Sequence, residues 1–325
     1  MKKIKVAIAG YGNLGKGVES AIKQNPDMEL VAVVSRREGL KINTKTAKTV
    51  LYKDVLSLKG QIDVMIICGG SATDLPEMTP FLAKHFNVVD SFDNHANIPK
   101  HRKNVNIPAK EGENVAVISV GWDPGLFSVS RLYAESALPQ GESYTFWGKG
   151  VSQGHSDAIR RIPGVLNAKQ YTIPREEALT KVRNGEMPKL STKDKHLRQC
   201  FVVTEEGADK DKIRETIVTM PNYFADYITT VEFITEEEFK KNHSGIPHGG
   251  SVIRTGKTGD GNTCNVEFSL KLDSNPEFTG SVLVSFARAA CRMKNEGFSG
   301  CFTIFEIPPL YLSSKSAEEL FSTML

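Results

Sequence analysis

The chain has 325 residues, 40% of them hydrophobic and 24% charged, which excludes disorder and fits about two domains of ordinary globular size. Its 41 basic and 38 acidic residues leave a formal charge of +3, too small an excess to imply nucleic acid or a membrane surface as the main partner. No apolar run approaches the ~20 residues needed to cross a bilayer. The opening Met1-Lys2-Lys3-Ile4-Lys5 has no signal-peptide pattern, so a cytoplasmic protein is expected. Cys68, Cys200, Cys264, Cys291 and Cys301 are odd in number and form no CxxC or zinc-type spacing. They read as reduced thiols, and no metal site is expected.

The first third alternates strands and helices. Lys5 to Ala9 is a short apolar run, as expected of a strand buried on both faces, and it ends in Gly10-Tyr11-Gly12-Asn13-Leu14-Gly15. A helical pattern with Leu14, Val18, Ala21 and Ile22 on one face follows and stops near Asn25-Pro26. Leu30 to Val34 and Ile62 to Cys68 are further strands, Pro76 to His85 a helix, and Asn87 to Asp90 and Val115 to Ser119 two more strands. This order predicts an α/β fold with a Rossmann-type, doubly wound parallel sheet.

After Ser119 the character changes. Tyr144 to Gly148, Lys169 to Ile173, Arg198 to Thr204, Glu215 to Met220, Thr229 to Ile234 and Asn265 to Leu272 mix polar and apolar residues, which predicts strands of a mostly antiparallel sheet in a second, α+β domain. Phe278 to Met293 reads as a long apolar helix and Ser313 to Leu325 as an amphipathic one, with Leu320, Phe321 and Leu325 apolar. The expected domains are a dinucleotide-binding domain over 1–120, completed by a returning segment near 276–300, and a substrate-binding and dimerisation domain over 121–275. The segment 301–325 is expected to pack on the second domain.

Gly10-x-Gly12-x-x-Gly15 follows a strand and opens a helix, the setting a dinucleotide loop requires. Gly10 permits the tight turn, Gly12 admits a pyrophosphate and Gly15 lets the helix approach the sheet. The helix N-terminus offers free N–H groups and the positive dipole end to the phosphates. An NAD enzyme places Asp or Glu at the end of the second strand to bond the ribose 2′-hydroxyl. This chain has Ser35-Arg36-Arg37, which suits a 2′-phosphate because arginine grips phosphate bidentately; NADP(H) is the expected cofactor.

Three further loops follow strand C-termini, where ligands bind in such sheets. They are Gly69-Gly70-Ser71-Ala72-Thr73-Asp74, Asp90-Ser91-Phe92-Asp93-Asn94-His95 and Ser119-Val120-Gly121-Trp122-Asp123-Pro124-Gly125. The first two, through Thr73 and Asp93 respectively, are expected to touch the cofactor. With Pro124 behind it, Asp123 equally suits the N-cap of the helix through Leu126, Val129 and Leu132.

Taken together, AIAGYGNLGKGVE, VVSRR, DSFDNH, SVGWDPGLFS, TFWGKGVSQGHSDAIRRIPGV and GIPHGG resemble the meso-diaminopimelate D-dehydrogenase family in content, order and spacing. The loop pattern alone is common to many families, whereas WDPGLFS followed by WGKGVSQGHSDA is specific. The resemblance implies a homodimeric oxidoreductase of lysine and peptidoglycan precursor biosynthesis. Its reaction is reversible NADP-dependent oxidative deamination of the D-centre of meso-2,6-diaminopimelate, giving L-2-amino-6-oxopimelate, which cyclises to tetrahydrodipicolinate, and ammonia.

It also implies roles for particular residues. Asp93 and Asp123 bind the D-centre ammonium, with either Asp93 or a water as base, and Trp122 shapes that end. Trp147, Gln153 and Gly154 line the middle of the pocket. Thr172, Arg198 and His248 hold the distal carboxylate, and Asn275 the distal L-centre. Two other readings remain: a reductase of the dihydrodipicolinate or homoserine dehydrogenase type, and a non-catalytic NADP sensor. The tryptophan blocks argue against the first and the matching polar positions against the second.

Overall fold

The computed structural model describes residues 3–43, 47–259 and 261–325; Met1 and Lys2 of the expected N-terminal run lie outside them. Its elements begin with β1 (Ile4–Ala9), α1 (Asn13–Lys23), β2 (Met28–Ser35), β3 (Lys48–Leu51), β4 (Val64–Ile67), α2 (Leu75–Ala83), β5 (Val88–Asp90), α3 (Ile98–Glu111), β6 (Val115–Val117) and α4 (Leu126–Ala137). The middle of the chain forms β7 (Gly141–Trp147), β8 (Gly150–Val151), α5 (Gln153–Arg160), β9 (Val165–Pro174), α6 (Glu176–Arg183), α7 (Thr192–Lys195), β10 (His196–Thr204), α8 (Lys210–Val218), β11 (Ile228–Phe233), α9 (Glu236–Asn242), β12 (His248–Thr258) and β13 (Asn262–Leu272). Last come α10 (Asn275–Asn295), β14 (Gly300–Phe302) and α11 (Ala317–Met324). Two compact units result: 1–129 with 276–325, and 130–275.

The first unit holds a seven-stranded sheet in the order β14-β6-β5-β4-β1-β2-β3, parallel throughout. Alternate residues of β1 serve opposite faces. Val6 and Ile8 join Val18 and Ile22 of α1 and Leu283 and Ala287 of α10, while Ala7 and Ala9 join Leu82 of α2 and Val105 of α3. Strand order reverses between β1 and β4, so the loop leaving β1 stands at the switch point where such sheets bind ligands. Helices α1 and α10 meet on glycine: a Cβ on Gly280 would stand 2.6 Å from the Gly17 carbonyl carbon, and one on Gly17 2.5 Å from the Pro276 oxygen.

The segment 301–325, expected on the second domain, belongs to the first unit. β14 pairs with β6 at the sheet edge, and Ile304 and Ile307 enter the sheet's core. Arg288 of α10 donates Nη1 to the Leu312 carbonyl at 2.7 Å and pairs with Asp27 at 2.6 Å. The boundary expected near 120 falls after Val129, because Leu126 and Val129 of α4 pack on the same core. The terminal helix starts only at Ala317, where Ser316 and Glu319 form a capping box.

The second unit contains two sheets. β11-β10-β9-β8 is antiparallel except for the parallel pair β10–β11, and β13-β12-β7 is antiparallel throughout. The strand expected over Glu215 to Met220 is helical instead. Its β-branched residues imitate a strand, but Asp209 caps α8 by accepting the Lys212 N–H at 3.0 Å, and Ile213 and Ile217, four residues apart, are buried on one face. No described helix is long and apolar enough to cross a membrane.

Candidate active site

In the first unit, β1 delivers the chain into the glycine loop. Gly10 takes a φ of +98°, and a Cβ there would lie 2.9 Å from the Cys68 carbonyl oxygen. A Cβ on Gly15 would lie 2.2 Å from the Gly10 oxygen, so helix and loop require this glycine. Gly12 faces open space, room that a pyrophosphate would fill. No side chain caps α1, which leaves the N–H groups of Asn13, Leu14 and Gly15 to a ligand. The Tyr11 hydroxyl turns inward: it donates to the Glu19 carboxylate and accepts the Asn43 N–H at 3.1 Å. Burial and the Glu19 carboxylate push the Tyr11 phenol above its ordinary range.

Ser35, Arg36 and Arg37 line the same pocket as Gly10, Gly12 and Gly69. The Ser35 hydroxyl accepts the Arg37 N–H at 2.9 Å, and Arg36 donates Nη2 to Asp74 at 2.6 Å. A glycine loop, a bare helix N-terminus and two arginines at the end of the second strand suit a dinucleotide carrying a 2′-phosphate.

Ser71 accepts the Asp93 N–H at 3.0 Å, tying the loop after β4 to the loop after β5. Asp90, expected among the cofactor contacts, is wholly buried, and four protein donors occupy its carboxylate. Thr79 Oγ1 lies at 2.8 Å, His101 Nε2 at 2.7 Å, the Phe92 N–H at 3.1 Å and the Ser119 N–H at 2.9 Å. Phe92, expected there too, is 3% exposed, and its ring stacks on His101 at 4.1 Å. Both side chains are engaged by the protein and anchor the loops on either side of them. Ser91 is half-buried and Ala72 and Thr73 are exposed.

Trp122 is buried with its ring edge-on to Phe127 at 5.3 Å. Asp123 stands three residues before α4, in the turn that leads into it. The Gly121 and Trp122 carbonyls accept the Leu126 and Phe127 N–H groups at 3.1 and 2.8 Å.

The second unit gathers residues that are far apart in sequence. Thr172 on β9 pairs with Gly150 on β8 and with Arg198 on β10. The His248 ring occupies space left by Gly150, where a Cβ would come within 2.5 Å of it. Val151 donates its N–H to the Pro247 carbonyl at 2.9 Å, and Asn275 donates its own to Ile246 at 3.1 Å. Thr172, Arg198, His248 and Asn275 thus converge on one network of backbone pairs, with Gln153 and Gly154 opening α5 just beyond β8. The Trp147 ring stacks on His196 at 5.3 Å, and its backbone N–H donates to His196 Nε2 at 2.8 Å. Burial and the nearby Arg198 and Lys195 hold His196 down to about 3, hence neutral.

Arg198 is the electrostatic centre of this half. It is 7% exposed, donates Nη1 to the Thr172 hydroxyl and lies 3.9 Å over the Tyr227 ring. Its Nε has no partner, and no carboxylate among the described residues pairs with it. Beside it Gln170 is wholly buried with Oε1 unpartnered. An unpaired buried guanidinium is costly unless an anion completes it. Tyr227 and Gln170 carry no sequence motif: the Tyr227 ring meets Arg198 and Gln170 neighbours Thr172 only in the folded chain.

Burial pushes the Cys200 and Cys291 thiols up to about 12, so neither is a thiolate near neutral pH. Among the described residues, no group of three or more His, Cys, Asp or Glu is placed to hold a metal.

Residues 121–274 match the family model for the diaminopimelic acid dehydrogenase C-terminal domain. Over its whole length the chain is 60% identical to the meso-diaminopimelate D-dehydrogenase of Ureibacillus thermosphaericus, covering all of that protein. A crystal structure of a six-substitution meso-diaminopimelate dehydrogenase mutant from Clostridium tetani E88 with DAP superposes at a TM-score of 0.94, with 54% identity over 99% of this chain and 100% of that one. An engineered D-amino acid dehydrogenase bound to NADP+ gives a TM-score of 0.87 and 48% identity, with both chains covered completely.

Proposed function

Because this chain belongs to the meso-diaminopimelate D-dehydrogenase family, we propose that its Asp93 and Asp123 serve the D-centre of the substrate and its Arg198 the far carboxylate. The enzyme oxidatively deaminates meso-2,6-diaminopimelate. That substrate carries an ammonium and a carboxylate at each end, so recognition requires anions for the former and a cation for the latter. The observation carrying this reading is Arg198, buried and without a carboxylate among the described residues. Thr172 fixes its guanidinium, Tyr227 supports its face, and His248 and Asn275 complete the distal end. On the same reading Trp122 serves the D-centre end, and Trp147, Gln153 and Gly154 the middle of the substrate.

The Clostridium mutant supports this set. Its six changed positions carried Gln, Thr, Arg, Pro, His and Asn. The same types recur here in the same order and at the same spacings as Gln153, Thr172, Arg198, Pro247, His248 and Asn275. We add Pro247 to the proposed distal set on that match; its carbonyl accepts the Val151 N–H.

NADP(H) is the cofactor we assign, held by Gly10 to Gly15, by Ser35-Arg36-Arg37 and by the loop after β4. Bound cofactor supplies the hydride acceptor at its nicotinamide ring. The protein's part is to hold the D-carbon in place and to take up the proton of the ammonium, at Asp93 or through a water. Replacing Arg36 and Arg37 together by alanine is expected to weaken NADPH binding by about 100-fold, for the loss of two charge-assisted phosphate contacts, and NADH binding by far less. Fluorescence titration with each cofactor checks this; equal losses would mean that the arginines do not read the 2′-phosphate.

We also assign a homodimer. β13 leaves Val266 and Phe268 43% and 37% exposed, apolar surface that a second copy would cover. Sedimentation at micromolar concentration is expected to give about twice the 35.8 kDa chain mass. A monomer under those conditions would remove the assignment.

A further inference from the structure

The ion pair between Arg36 and Asp74 stands in the nucleotide pocket, at the mouth of the loop after β4. Arg36 is 68% exposed, and an exposed arginine loses much rotamer freedom when it grips a ligand. Asp74 is better held: its side chain is 19% exposed, and its two oxygens do different work. Oδ2 accepts the Gly70 N–H at 2.9 Å, and Oδ1 receives Arg36 Nη2 at 2.6 Å. The backbone turn from Gly70 to Leu75 fixes the carboxylate further, with the Asp74 and Leu75 N–H groups bonded to the Gly70 carbonyl at 2.8 and 3.1 Å. A carboxylate clamped to one loop thus holds the guanidinium of another. It takes one nitrogen of the guanidinium fork and leaves the other donors for an incoming anion.

We propose that Asp74 is a positioning residue for cofactor choice: it presets Arg36 in the orientation that receives the 2′-phosphate of NADP(H), and couples that contact to the loop after β4. The inference rests on the NADP(H) reading above. Asp74 touches no phosphate itself, since one carboxylate against a phosphate repels. Its contribution is the order it imposes on Arg36 before binding. The Gly70 N–H and Arg36 together hold the Asp74 carboxyl below its ordinary range, so it is ionised wherever the enzyme meets neutral solution.

The sign of the effect makes this testable. A carboxylate that merely competed with the phosphate for Arg36 would weaken NADPH binding, and its removal would tighten it. A carboxylate that presets Arg36 acts in the opposite sense. Asp74→Asn keeps an acceptor for Gly70 and removes the charge. It is expected to raise the NADPH dissociation constant by about 3- to 10-fold, the cost of ordering one long side chain, and to move that of NADH by less than about 2-fold. In an Arg36→Ala background the same change is expected to move neither constant by more than about 2-fold, since the group Asp74 positions is gone. Tighter or unchanged NADPH binding in Asp74→Asn overturns the inference, as does a parallel loss for both cofactors, which would mark a loop support only. A loss that persists without Arg36 overturns it too. Wild-type protein that binds NADH as well as NADPH overturns the cofactor reading itself and this inference with it.

Discussion

Replacing Arg198 by methionine is expected to lower kcat/KM for meso-diaminopimelate by the equivalent of about 2–4 kcal/mol, the cost of losing one partner of a buried charge pair. Methionine keeps part of the stem and removes the charge. The guanidinium is remote from the reacting carbon, so the loss falls on substrate orientation as well as on binding. D-Alanine has no distal carboxylate and supplies the control: its kcat/KM is expected to fall far less. NADPH affinity is expected to stay within about 2-fold, because Arg198 belongs to a different unit from the glycine loop. Steady-state kinetics with both substrates decides the matter. Equal damage to both would show that Arg198 supports the fold.

The second large effect lies at Asp90. Asp90→Ala removes the acceptor shared by Thr79, His101 and the N–H groups of Phe92 and Ser119, and leaves four donors in a site with no water access. Breaking a buried network of this kind costs about 3–5 kcal/mol, to be read from urea unfolding. Thr79→Val, which removes one donor and keeps the shape, is expected to cost only about 1 kcal/mol. The damage reaches function because the network ends on both loops that carry Asp93 and Asp123. A loss under 1 kcal/mol for Asp90→Ala would mean that the buried pair with His101 carries no net stability.

The nucleotide half was legible because its signals are local. β1, the glycine loop and α1 are contiguous, and their strand period, turn glycines and helical spacing can be read within 20 residues. Burial is not local: nothing in Asp90-Ser91-Phe92-Asp93 shows that the Asp90 carboxylate is buried and bonded to His101. α8 was misread because Thr216, Ile217 and Val218 favour strands one by one, while the buried spacing of Ile213 and Ile217 decides for a helix. The distal cluster has no local signal at all. Thr172, Arg198, His248 and Asn275 meet through strand pairing across a hundred residues, so only the resemblance named them. Tyr227 and Asp74, each supporting an arginine, carry no motif and meet their partners only in the folded chain.

The α10 contact at Gly17 and Gly280 bears on how the chain is made. Ribosomes release residues in order at about 5–20 per second, and domains generally fold as units. Residues 130–275 form a compact unit that can close as soon as they emerge. The parallel sheet cannot. Until α10 and β14 are synthesised, one face of β1 and β4 lacks Leu283, Phe286, Ala287 and Ala290, and the β6 edge lacks its outer neighbour. Nascent chains therefore pass through a stage in which the inserted unit is finished while the host unit still shows bare apolar surface and an unpaired strand. A bulky replacement of Gly280 would do its harm at that stage: it would block the late docking of α10 on α1 and leave the inserted unit intact.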